Sequence, residues 1–277
     1  MKSEMSLYIL VRMLLCLLIL QWPGISIAAD SGTYAFGVLN QQSPQLTAER
    51  WNPILRYLGQ MTGHSLQLRM GPTVQETDAA MGRGDYDFMF TNHNFQSAYD
   101  HVGYRVIARV GGELNYGVII VAADSPAKTL KDLEGQRVAF PSAGAFMSHA
   151  ATLVGLKSAG VGVQEVFAGN QEGAVAQLRA GRVAAASLQA RLLLDYAQRE
   201  NFRFRELYAT PHFPELAVIV HPRVSPEVVA KVRAALIGMK ADLAGAEILA
   251  RARFEGFEVA KDVDYEGVRR VYRAIGK

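Results

Sequence analysis

Apolar positions along this chain recur first at every second residue and then at every third or fourth, and the two periods alternate as far as Val220. Residues 34–39, 66–70, 85–90 and 106–110 read as strands. Between the first two, residues 44–61 carry Trp51, Ile54, Leu55 and Leu58 on one helical face, with Gly63 beyond the end. Pro53 falls inside that stretch, which predicts either a kink or a shorter helix capped by Asn52. Thr73 and Glu76 make a capping-box pair ahead of a short helix that stops near Gly82. Polar loops follow the first and third strands, at 40–44 and 91–95.

The pattern breaks at Gly111-Gly112 and then resumes. An apolar strand over 116–122 leads to further strands at 138–140, 163–167 and 183–187. The helices between and after them end near Ala159, Ala180 and Gln198. A strand over 204–208, the connection 209–214 and the apolar run 216–220 come next. Ser225 with Pro226 is a helix start, and the remainder to Lys277 is helical with a break near Gly256. Strands alternating with helices at this spacing predict α/β architecture with largely parallel sheets. The chain is expected to cross into a second lobe near 112–117 and to return near 210–215, and two neighbouring crossings make a hinge.

One stretch carries candidate chemistry on pattern alone, Glu134-Gly-Gln-Arg-Val-Ala-Phe-Pro-Ser-Ala-Gly-Ala-Phe-Met-Ser-His149. A short strand runs through Pro141-Ser142-Ala143-Gly144 turn chemistry into an apolar helical period. Unpaired N–H groups at such a helix start, together with the positive end of its dipole, favour an anion. The small residues Ala143, Gly144 and Ala145 would admit a ligand close to the backbone.

Composition adds an address. Lys2 and Arg12 flank the apolar run from Met13 to Leu20, and Pro23-Gly24 and small residues precede Asp30. This layout predicts a signal peptide over residues 1–29, cleaved after Ala28 or Ala29, with a retained anchor as the competing reading. Cys16 is the only cysteine of the 277 residues and would leave with the signal, excluding disulfides and cysteine chemistry from the exported chain. Removing Lys2, Arg12 and Glu4 lowers the formal charge of +3 by one. Basic residues are scattered, which argues against nucleic acid as a partner.

Several segments together resemble the phosphate/phosphonate-type periplasmic substrate-binding proteins of ABC transporters. They are Phe36-Gly-Val-Leu-Asn-Gln-Gln-Ser-Pro44, Trp51-Asn-Pro-Ile-Leu-Arg-Tyr-Leu58, Gly84-Asp-Tyr-Asp-Phe88, Leu130-Lys-Asp-Leu-Glu-Gly-Gln-Arg-Val-Ala-Phe140 and Ala180-Gly181-Arg-Val183. The resemblance implies a two-lobed α/β fold of the second periplasmic-binding-protein class, each lobe a mostly parallel sheet flanked by helices and joined by a two-strand hinge. It implies lobe 1 over 30–114 and 213–277 and lobe 2 over 115–212. Carried over by position, Gln41, Gln42 and Ser43 lie on the first-lobe rim, and Thr91, Asn92 and His93 in the loop after the third strand. Ser142, Ala143, Gly144, Ala145 and Phe146 start a second-lobe helix, and Asn170, Gln171 and Glu172 form another second-lobe loop. The chain departs from the family where a Ser/Thr-rich run is usual at the helix start, where Gly-Pro-x-x-Tyr is usual at 91–95, where Ala184 replaces an acidic residue, and where Gln171-Glu172 replaces His-Asp. The Phe-Pro-Ser-Ala-Gly-Ala-Phe and Thr-Asn-His versions look more like the periplasmic sensor relatives of this family, or transporter components for other small solutes.

The residues themselves support binding over catalysis. Neither His93 nor His149 has neighbours at metal-ligand spacing, Ser142 lacks a nucleophile elbow, and no phosphate-loop or dinucleotide fingerprint is present. Phe95 and Phe146 could be pocket wall or core. Arg50, Arg69 and Arg105 could balance an anion, whereas Glu172 in a cleft would favour a zwitterion or amine. The expectation is a monomeric, non-enzymatic solute-binding protein without cofactor or metal, which closes on a small polar or oxyanionic solute and delivers it to an ABC-transporter permease. The alternatives are a sensory component signalling to a membrane histidine kinase, and a periplasmic enzyme using His93 and Glu172.

Overall fold

The computed structural model describes residues 32–40 and 43–277. The expected signal peptide and the residues Gln41 and Gln42 lie outside them. Among the described residues no helix is long and apolar enough to cross a membrane.

The chain builds two sheets. The first comprises β1 (Thr33–Val38), β2 (Ser65–Arg69), β3 (Phe88–Thr91), β4 (Arg105–Val110), β10 (Ala217–Val220) and β11 (Phe257–Glu258), in the order β11-β4-β10-β3-β1-β2. The second comprises β5 (Gly117–Ala122), β6 (Arg137–Phe140), β7 (Gln164–Phe167), β8 (Ala185–Gln189) and β9 (Phe204–Ala209), in the order β7-β6-β8-β5-β9. Both sheets are mixed. The helix-linked strands pair in parallel, β2-β1-β3 in one sheet and β7-β6-β8 in the other. The strands adjoining the crossings, β10 and β5, insert antiparallel to their neighbours. A strand arriving from the other lobe enters its sheet from the crossing end, so it runs against strands that point toward that end.

Period-two burial divides each strand between two cores. Phe36, Val38, Phe88, Phe90, Val218 and Val220 face one cluster, while Met89, Ala217 and Ile219 face another. Against the first face packs α1 (Pro44–Thr62), which buries Trp51, Ile54, Leu55 and Leu58. Trp51 is the anchor, with ring centroids 4.7 Å from Phe90 and 5.3 Å from Phe36. The helix is capped by Ser43 and runs through Pro53, which removes only the N–H that would meet the Glu49 carbonyl. Also on this face are α6 (Pro226–Gly238), started by Ser225, and α7 (Leu243–Arg251). The opposite face holds α2 (Val74–Gly82), whose Thr73–Glu76 capping box forms as expected, and α8 (Glu266–Ala274).

In the second sheet Val118 and Ile120 face one core and Ile119 and Val121 the other. Its helices are α3 (Thr152–Ser158), α4 (Gln171–Arg179) and α5 (Ala190–Glu200). A wide π-type turn, Phe146–Ala151, precedes α3 and is continuous with it. The two crossings lie side by side: Asn115 and Phe213 exchange backbone hydrogen bonds of 3.0 and 2.7 Å. Packing at this junction is tight, since a Cβ on Gly117 would come within 2.0 Å of the Met147 carbonyl oxygen.

Candidate functional site

The carboxyl ends of β1, β3 and β4 face those of β6, β7 and β8 across a cavity of about 690 Å³. Open α/β sheets bind ligands at this end, where loops rather than packed strands present side chains. The first-lobe wall includes Leu39, Asn40, Phe90, Asn92, His93 and Val110, with Arg50 from α1 and Arg253-Phe254 from the turn after α7. The second-lobe wall includes Ser142, Gly144 to Ser148, Asn170, Gln171, Gln189 and Arg191. Asn115, Pro214 and Glu215 of the crossings also line it.

The second-lobe wall is where an anion is best served. Ser142 accepts a hydrogen bond from Ala145 N–H at 3.2 Å, which makes 142–145 a tight turn, and the helical path begins at Phe146. The first N–H groups of that wide turn have no acceptor within it. Ser148 is buried in the same turn, and its hydroxyl oxygen accepts from Gln171 Nε2 at 3.0 Å, which leaves its own proton to donate. Gln171 is itself fixed, because its amide oxygen accepts from Gln189 N–H at 3.0 Å. Asn170 caps α4 by accepting from Gly173 N–H at 2.7 Å.

His93 joins the two lobes. Its Nδ1 lies 2.9 and 3.0 Å from the two carboxylate oxygens of Asp78, and its Nε2 lies 3.2 Å from the Gly144 carbonyl oxygen. Both ring nitrogens face acceptors, so only the doubly protonated ring donates at both ends. Phe146 makes a second bridge, edge-to-face on Phe213 at 5.0 Å and tilted on Tyr272 at 5.3 Å. Lys277 Nζ reaches the Ala143 carbonyl at 3.4 Å. These contacts join the two lobes beside the cavity.

Of the residues expected from sequence, Asn92, His93, Ser142, Gly144, Ala145, Phe146, Asn170 and Gln171 line this one cavity. Ser43 caps α1 through Leu46 N–H. Thr91 is fully buried in β3, and its hydroxyl accepts from His93 N–H at 3.0 Å. Ala143 is exposed beyond the cavity wall. Glu172 also stands off that wall and pairs with Arg199 at 2.6 Å, so it neither opposes an anion in the cavity nor meets His93. Among the arginines weighed from sequence, Arg50 is on the wall, whereas Arg69 and Arg105 are not. Phe95 is core, stacked on Tyr265 at 4.5 Å.

Sequence reasoning missed Ser148, Asn115, Gln189, Arg191, Glu215 and Arg253. Ser148 alone had a local signal, two positions past Phe146 in a helix start. The others come from crossings and turns that only the tertiary fold assembles. Glu215 Oε1 accepts from Asn115 at 3.0 Å and from Gln189 at 3.5 Å, which ties both crossings to the second lobe. Asn40 gives its amide N–H to the Gly71 carbonyl at 2.9 Å, while its Oδ1 is buried without a partner.

Solved structures share this fold. A Xanthomonas citri protein bound to ATP superposes with a TM-score of 0.74 at 16% identity, covering 88% of this chain and 96% of its own. PhnD1 from Prochlorococcus marinus, in complex with methylphosphonate, gives a TM-score of 0.73 at 16% identity, covering 88% and 98%. A binding protein component of an ABC phosphonate transporter from Pseudomonas aeruginosa gives 0.68 at 16% identity, covering 87% and 86%. No curated protein matches by sequence. The family model for the phosphonate periplasmic substrate-binding protein of ABC transporters matches residues 36–265. With that match spanning most of the chain and both lobes, the protein belongs to the family of ABC-transporter periplasmic phosphonate substrate-binding proteins, which bind and do not catalyse.

Proposed function

We propose that this protein captures a small oxyanionic solute of the phosphonate or phosphate class in the interlobe cavity and delivers it to the permease of an ABC transporter. One observation carries the reading. The start of the Phe146 turn and polar side chains from both lobes line the cavity, and three arginines line it against a single glutamate. A ligand touching both walls is bound fully only when the lobes are together, so it shifts the population toward closure. The paired crossings at Asn115 and Phe213 support hinging there, with lobe 1 as 30–114 and 213–277 and lobe 2 as 115–212. Ser142, Ser148 and Asn92 are the side chains proposed to meet the solute, with the backbone at Phe146, while His93 joins the two walls through Asp78 and the Gly144 carbonyl.

A thermal-shift screen of the protein purified after export tests this. The panel holds phosphate, phosphite, methylphosphonate, 2-aminoethylphosphonate, sulfate, amino acids and, given the ATP-bound neighbour, nucleotides. A solute that binds only the folded state stabilises it by about 2.7 kcal/mol at a hundredfold excess over its dissociation constant. A rise in Tm for phosphoryl or phosphonyl compounds, absent for neutral amino acids, is expected. A flat response to every oxyanion would refute the reading. Export itself is checked by N-terminal sequencing, expected to begin at Ala29 or Asp30.

A further inference from the structure

Two of the three arginines of the cavity stand together on the first-lobe wall, away from the turn that begins at Phe146. Arg50 projects from α1 with Nε donating to the Ala252 carbonyl at 2.5 Å and its guanidinium 4.0 Å over the Phe254 ring. Arg253 follows directly in the chain and also lines the cavity. Among the described residues neither guanidinium has a carboxylate within ion-pair distance, whereas Arg191 on the other wall is met by Glu255 at 3.7 Å. The Arg50 pKa is lowered, first by burial and then by the charge of Arg253. Two like charges held together without a counter-ion cost free energy that an anion would recover.

Arg253 adopts φ of 55° in the turn that closes α7, where its N–H donates to the Ala250 carbonyl at 3.1 Å. The volume agrees, because about 690 Å³ lies within the range of roughly 300–1,000 Å³ that accommodates larger organic ligands rather than a bare oxyanion. Leu39, Phe90 and Val110 supply apolar wall nearby.

We infer that Arg50 and Arg253 form a second anion subsite, and that the solute is a bifunctional anion. Its oxyanionic head meets the Phe146 turn, a carbon spacer lies along the apolar wall, and a further acidic group (carboxylate, sulfonate or phosphoryl) sits at the two guanidiniums. This rests on the cavity being the solute site.

Calorimetric titration of the exported protein with methylphosphonate and with a homologous series of ω-carboxyalkylphosphonates tests it. At least one member of the series is expected to bind ~tenfold or more tighter than methylphosphonate, a difference of about 1.4 kcal/mol. Arg253→Asn, which suits the left-handed backbone, is expected to collapse that ratio toward one, with folding verified by its melting curve. Arg50→Lys, which keeps charge but loses the planar fork, should reduce the ratio in part. Binding of methylphosphonate with no gain anywhere in the series would overturn the second subsite alone. An undiminished ratio in Arg253→Asn would do the same. Absence of binding by every probe would overturn the solute-site reading and this inference with it.

Discussion

Gly117 and His93 show how single positions constrain this molecule. Gly117 lies where the first crossing passes beneath the Phe146 turn, and an added Cβ would meet the Met147 carbonyl oxygen at 2.0 Å and its carbon at 2.8 Å. Neither atom is the end of a flexible side chain, so backbone must move. Gly117→Ala is expected to cost about 2–3 kcal/mol in urea denaturation. His93 makes a different demand, since its two ring nitrogens span from the Asp78 carboxylate to the Gly144 carbonyl. His93→Phe keeps an aromatic ring but removes both hydrogen bonds, so solute affinity is expected to fall in calorimetric titration. Unchanged affinity in that variant would contradict a bridging role for the ring.

At the scale of elements, periodicity and caps were enough where local interactions decide. The Trp51-Ile54-Leu55-Leu58 face predicted α1, the Thr73–Glu76 pair predicted the start of α2, and Ser225-Pro226 predicted α6. Thr73→Ala removes the hydroxyl that accepts from Glu76 N–H and donates to the Glu76 carboxylate, leaving the residue-73 N–H bond in place, and is expected to cost about 1 kcal/mol, read as a lowered urea midpoint at unchanged slope. Pro53 left a kink or a shorter helix capped by Asn52 open, and the helix runs continuously from Pro44 to Thr62, so the start at Pro53 is ruled out. The start of the second-lobe helix was less legible. Small residues at 142–145 suit either a helix terminus or a turn, and the 3.2 Å Ser142–Ala145 bond makes them a turn. The donors therefore shift to Phe146 and beyond, and Ser148 joins the cavity. Arg253 and Glu215 carry no periodic or motif signal, because crossings and a left-handed turn bring them to the wall. The two-residue β11 was equally unreadable, being held by its pairing with β4 and by Phe257 packing into the core.

On the scale of the whole molecule, closure is the property on which the proposed function depends. The lobes share two backbone crossings, the His93 bridge, the Phe146 contacts with Phe213 and Tyr272, and Glu215 tied to Asn115 and Gln189. Each interlobe contact adds to the ligand's own stabilisation of the closed form. Contacts that hold the closed form without solute also lower the solute's leverage, since a ligand shifts an equilibrium only by its differential affinity. Truncating the wedge with Phe146→Leu is therefore expected to raise the radius of gyration of the unliganded protein in small-angle scattering. Adding solute should reverse the change. The central claim is that an oxyanion sits against the turn that begins at Phe146. Isothermal titration of the strongest-binding oxyanion against wild type and Ser148→Asp tests it most directly, because the new carboxylate would stand at the proposed anion seat. The account predicts a loss of ~hundredfold or more in affinity, about 2.7 kcal/mol, in a variant that still folds cooperatively. Unchanged affinity in Ser148→Asp would contradict it.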